Sequence, residues 1–184
     1  KDDVAATKRA IARARGDVVL VGHSWGGTVI CEAGNDARVK SLVYVAAFAP
    51  DSGQSTADLA GSYPAPPGSA GIAKTADSYL YLPTEAVRKD FAPDVKPAIQ
   101  DTIAATQGPI KAEAFGEKVA HAAWHDKPSW YVVSQNDRMI NPALERAMAK
   151  TIHAKTTEVA ASHVSMVSQP QIVARTIEQA IEAK

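Results

Sequence analysis

The chain has 184 residues, 46% of them apolar, with 20 Lys plus Arg against 20 Asp plus Glu. That apolar share supplies the core of one domain with a small inserted cap and excludes a disordered chain. Zero formal charge argues against nucleic acid or an anionic membrane as partner, and the single cysteine, Cys31, excludes an internal disulfide framework and a four-cysteine zinc site. No apolar run approaches the roughly 20 residues of a membrane span. No charged start leads into an apolar stretch, so no secretory signal is read and a cytoplasmic protein is expected.

In chain order, Asp3 to Ala14 reads as a helix with Val4, Ala5 and Ile11 at helical spacing, stopped by Gly16. Val18-Val19-Leu20-Val21 is a continuous apolar run of the kind buried on both faces of a parallel sheet. Gly22 to Gly27 is a sharp turn, and Thr28 to Ala33 continues as a helix. Val39 to Phe48 is a second buried strand, ended by the turn residues Pro50-Asp51-Ser52-Gly53. From Gln54 to Lys127 the texture changes. Gly61 to Gly71 reads as loop, Tyr79 to Leu82 as a short strand, and Thr84 to Phe91, Val95 to Ala105 and Pro109 to Val119 as short helices, with Thr84 as an N-cap. Ser129 to Ser134 is a third buried strand. Asn141-Pro142 opens a helix to about Thr151, Thr156 to Ala160 is a fourth strand, and Gln169 to Ala183 is an amphipathic helix. The alternation predicts an α/β fold: a mostly parallel sheet with helices on both faces. The expected division is residues 1–53 as core, 54–127 as the inserted cap, and 128–184 as core again.

The strongest chemical signal is Gly22-His23-Ser24-Trp25-Gly26-Gly27, a G-x-S-x-G pattern set between a buried strand and a small-residue helix. Large side chains at Gly22 or Gly26 would collide across such a turn. The turn would lift the Ser24 hydroxyl to a helix N-terminus, where free N–H groups favour developing negative charge. Ser24 is therefore the expected nucleophile and the Trp25 N–H the expected oxyanion donor. A serine needs a base, and the base needs an orienting carboxylate. Asp137 follows the third strand and His163 follows the fourth, in the chain order Ser, acid, His. Asp51, after the second strand, is the competing acid. His121 and His125 share an i, i+4 spacing that would suit a metal pair, but the intervening Ala-Ala-Trp lacks the Glu of a zinc-protease motif. His153 reads as a helix C-cap and Cys31 as a small buried residue.

The elbow GHSWGG, the segment Tyr44 to Asp51 (YVAAFAPD) and the ending Ser162 to Pro170 (SHVSMVSQP) together resemble the branch of α/β hydrolases that holds plant methyl esterases, hydroxynitrile lyases and bacterial esterase-like proteins. The resemblance implies the α/β-hydrolase fold with an inserted helical cap, a triad of Ser24, Asp137 and His163, and no cofactor. The lyases of this branch carry a lysine after the catalytic histidine; Val164 stands there, which speaks against lyase chemistry. Family members also begin with strands ahead of the elbow and an HG-type loop that supplies the second oxyanion donor. Those N-terminal strands are absent from this chain, which reads as the C-terminal part of a larger hydrolase. A missing N-terminal segment or a complementing chain would complete it, and Val18 to Val21 would face an open sheet edge.

The function expected is hydrolysis of a small-molecule carboxylic ester through an acyl-enzyme, with no metal, nucleic acid or membrane partner. Tyr79, Tyr81, Phe91 and Trp124 suggest an apolar ester. The alternatives are a non-catalytic ligand-binding protein or incomplete fragment on the same fold, and a hydroxynitrile lyase-type enzyme.

Overall fold

The computed structural model describes residues 1–183. Helix α1 (Asp2–Arg13) leads to strand β1 (Val18–Ser24), helix α2 (Gly26–Ala33) and strand β2 (Val39–Ala47). After a long inserted segment come β6 (Ser129–Ser134), α6 (Pro142–Thr151), β7 (Lys155–Val159), the short α7 (Ser165–Ser168) and α8 (Pro170–Glu182). The four long strands form one parallel sheet in the order β1-β2-β6-β7.

The two central strands are apolar from Leu42 to Ala47 and from Trp130 to Val133, where both their faces are covered. Side chains alternate along a strand, so Leu42 and Tyr44 of β2 face one layer while Val43 and Val45 face the other. The first layer joins Ile11 of α1, Ile30 of α2, and Leu144 and Met148 of α6. The second joins Val173 and Ala180 of α8 to Trp130 and Val132 of β6. Helices thus cover both faces, as the alternation predicts. β1 has β2 as its sole partner among the described residues, and Val21 on it is 44% exposed.

The inserted segment is less helical than its sequence suggests. It holds α3 (Thr56–Gly61), the strands β3 (Ala73–Lys74), β4 (Tyr79–Tyr81) and β5 (Ile110–Lys111), α4 (Thr84–Ala86) and α5 (Pro97–Thr106). Pro109 to Val119 is not a helix. Ile110 and Lys111 pair with β4 in a small antiparallel sheet, and a 3₁₀ turn follows at Ala112–Gly116. Thr84 does not cap its helix; Pro83 stands at the cap, and the helix widens to a π turn at Val87–Phe91. The stretch read as loop contains a 3₁₀ turn at Pro67–Gly71. His153 lies just past the end of α6 in the left-handed region, at φ 51°.

This segment packs where the site lies. Val87 and Ala92, with Leu82, Phe91 and Ile103 against them, share a cluster with Val164 and Met166 of the loop after β7.

Candidate active site

In an open parallel sheet, ligands gather outside the carboxyl ends of the strands. Ser24 ends β1, Asp137 lies three residues past β6, and His163 four past β7. All three therefore sit on one rim of the sheet.

Ser24 has φ 52°, the left-handed region that costs a non-glycine residue about 1–2 kcal/mol. The strain is held from both sides: the Phe48 N–H donates to the Ser24 carbonyl at 3.1 Å, and α2 begins immediately after Trp25. Two glycines make the turn possible. A Cβ on Gly22 would stand 2.7 Å from the Gly26 carbonyl oxygen, and one on Gly27 would strike the Phe48 carbonyl oxygen. Gly26 has open space around it, so the close approach expected at Gly26 falls at Gly27 instead.

Asp137 and His163 meet. His163 Nδ1 donates to Asp137 Oδ2 at 2.6 Å, with the imidazole 1% exposed and Asp137 4%. The other aspartate oxygen accepts the N–H groups of Met139 at 2.6 Å and Ile140 at 2.9 Å. Burial alone would raise the Asp137 carboxyl. The His163 imidazole, the Ile140 N–H and the neighbouring Glu145 outweigh it and hold Asp137 below the ordinary range. Ser24 Oγ makes no hydrogen bond to His163 among the described residues.

The imidazole is boxed by aromatic rings. Phe91 meets it edge-on at 5.0 Å between centroids, and His23 lies 4.7 Å away. His23 Nε2 donates to the His163 carbonyl at 2.8 Å, which ties the His163 loop to the residue beside Ser24. Burial first, then the neighbouring His163, pushes His23 down to about 3, so it stays neutral.

A family model described as the alpha/beta hydrolase family matches residues 2–176. The chain belongs to the alpha/beta hydrolase family. It is 28% identical over 195 residues to the alpha/beta hydrolase nvfD of Aspergillus novofumigatus (strain IBT 16806), covering 97% of this chain and 77% of that one. Three solved structures share the alpha/beta hydrolase fold. A pyrethroid hydrolase from Sphingobium faniae JZ-2 superposes with a TM-score of 0.76 at 20% identity, covering 97% of this chain and 76% of the other. Polyneuridine aldehyde esterase gives 0.80 at 15%, covering 97% and 78%. An extracellular alpha/beta-hydrolase from a Paenibacillus species, described as sharing structural and functional homology with tobacco salicylic acid binding protein 2, gives 0.74 at 22%, covering 96% and 77%.

Other candidates of this hydrolase lie elsewhere. Asp51 accepts from His125 Nε2 at 2.6 Å and stands apart from His163. His121 pairs with Asp126 at 2.9 Å, so the two histidines of the suspected metal pair serve different carboxylates. They do not share a helix, since only Ala123–His125 forms a 3₁₀ turn. Cys31 is fully buried against the Tyr44 hydroxyl at 3.3 Å, and burial pushes its thiol up to about 12. Of the four aromatic residues suggested for the pocket, Phe91 alone is seen against the imidazole. The Trp124 indole donates to the Pro50 carbonyl, and Tyr79 and Tyr81 lie in the small sheet.

Three carboxylates around the site went unread in the sequence. Asp94 accepts both the N–H of Ser162, at 2.8 Å, and its hydroxyl. Asp90 accepts from Arg138 Nε at 2.7 Å. Glu145 is fully buried on α6, and its Oε2 accepts the Ser134 N–H at 3.0 Å. Glu145 alone left a signal: a charged residue on the apolar stripe of Leu144, Met148 and Ala149.

Proposed function

We propose that this alpha/beta hydrolase cleaves carboxylic esters through Ser24, His163 and Asp137. The observation that carries the reading is the buried His163–Asp137 hydrogen bond on the rim where Ser24 sits in its strained turn. Ser24 attacks the ester carbonyl while His163 Nε2 takes its proton, and Asp137 keeps Nδ1–H in place. The bond from Ser24 to His163 closes as substrate arrives, as catalytic contacts commonly tighten on binding.

The Trp25 N–H is the oxyanion donor supplied by this chain. Its indole donates to Asp3 at 3.1 Å. The sequence spans 77% of the length of the relative nvfD. The alcohol leaves with the proton from His163, and water releases the acid by the same relay. Residues 54–127 act as the cap over the pocket, and no cofactor enters the reaction. The names hydrolase and esterase carried by the structural neighbours support an ester as substrate.

Mass spectra taken with and without a fluorophosphonate probe test the proposal. An adduct on the Ser24 peptide, lost in Ser24→Ala, is the expected result. A folded, unlabelled protein sinks the hydrolase reading for this chain and leaves a ligand-binding role on the same fold.

A further inference from the structure

Glu145 projects from α6 into the interior behind the acid loop and is 0% exposed. Its Oε2 accepts the Ser134 N–H at 3.0 Å, while Oε1 is buried and has no hydrogen-bond donor among the described residues. Asp137 is anchored on the same residue, its N–H donating to the Ser134 carbonyl at 3.2 Å, with its own oxygens committed to Met139, Ile140 and His163. Among the described residues no lysine or arginine pairs with either carboxylate. Arg146, next along α6, points outward and pairs with Glu158 of β7 at 2.7 Å. Tyr131 of β6 spends its hydroxyl proton on the Ala47 carbonyl. Two carboxylates buried together without a cation cannot both be charged, so one of them keeps a proton. Asp137, with three donors aimed at it, is the one favoured as an anion.

We propose that Glu145 is a positioning residue: its protonated carboxyl, anchored on the Ser134 N–H, donates through Oε1 to Asp137 and fixes the aspartate that orients His163. The proposal rests on the hydrolase reading of Asp137 and His163. Burial, then the charge and contact of Asp137, also push Glu145 well above the ordinary carboxylate range. The proton does not move during the reaction. Its work is to hold Asp137 still and to spread its charge.

Glu145→Gln retains both bonds, because the amide oxygen can accept from Ser134 and the amide nitrogen can donate to Asp137. Glu145→Leu retains neither. With a chromogenic ester, Glu145→Leu is expected to lose roughly tenfold in kcat at nearly constant KM, the scale of one lost hydrogen bond. Glu145→Gln is expected to rescue that loss and to leave the acid limb of the pH–rate profile in place. Circular dichroism confirms that each variant is folded. An infrared difference spectrum of wild type against Glu145→Gln near neutral pH is expected to show the carbonyl band of a protonated carboxylic acid.

Full activity in folded Glu145→Leu overturns the positioning role. A downward shift of the acid limb in Glu145→Gln overturns it too, because it would mean that a negative charge had been removed. The infrared band is read on folded protein whether or not it turns over. A band without fluorophosphonate labelling sinks the hydrolase reading, and labelling without the band sinks this one.

Discussion

Asp94, in the segment inserted between β2 and β6, holds Ser162, the residue before His163, by both its backbone N–H and its hydroxyl. The His163 loop is thus held by a carboxylate whose partial desolvation would raise it, but which the Ser162 bonds hold below the ordinary carboxylate range. A depressed carboxylate contributes stability above its unfolded value and loses it as pH falls through the folded one. Asp94→Ala is expected to lower stability at neutral pH by about 1–3 kcal/mol and to reduce kcat more than it raises KM. Asp94→Asn, which keeps an acceptor, falls between. Thermal melts at neutral and strongly acidic pH check this, because the gap between wild type and Asp94→Asn should close in acid.

His23 gives a second dependence on pH. Its folded value of about 3 lies below the ordinary 6.5, so the unfolded chain binds the extra proton between those limits. Stability from this residue is complete above 6.5 and falls as pH drops toward 3. His23→Gln, which can still donate to the His163 carbonyl, should flatten that slope in a series of urea melts. An unchanged slope would place the acid sensitivity elsewhere.

Glu145 has the opposite sign. Its folded value stands well above the ordinary 4.5, so the native state holds a proton that the unfolded chain releases. Stability from this group is greatest below 4.5 and declines as pH rises. Glu145→Gln should therefore melt higher than wild type at mildly alkaline pH, with the difference vanishing in acid.

The elbow admits a purely steric test. The Cβ of Gly27→Ala would strike the Phe48 carbonyl oxygen and reach 2.9 Å from the Ala47 Cβ, both on the segment that closes β2. Neither neighbour is a flexible side-chain tip. Gly27→Ala should cost several kcal/mol, or about the 1–3 kcal/mol of ordinary overpacking at the least, whereas Gly26→Ala, with open space, should be nearly neutral. Denaturant midpoints of the two variants decide it.

The sequence was most readable where one physical rule acted alone. β2 and β6 are apolar on both faces, and that composition has one common use in an α/β chain. Asn141 caps α6 through its own side chain, with Pro142 at the first helical position. Asp137 and His163, which the structure brings together, are marked by their places just past the ends of β6 and β7. The inserted segment was harder, because its short elements depend on partners distant in sequence. Ile110 and Lys111 become a strand only because Leu80 and Tyr79 lie beside them. Asp94 looks like any surface aspartate until Ser162, 68 positions away, comes into place. Glu145 was different: its place on the buried stripe of α6 was visible, and a charge on such a stripe asks for an explanation.

The bond from His23 to the His163 carbonyl spans 140 positions. On a ribosome adding about 5–20 residues per second, the imidazole follows the serine by about 7–28 seconds. Under the triad reading, the growing chain exposes during that interval a serine with no base to take its proton. A polypeptide stopped anywhere before β7 is left with the same inert hydroxyl. Under the triad reading, the hydroxyl becomes reactive only after almost the whole of this sequence has been made and folded.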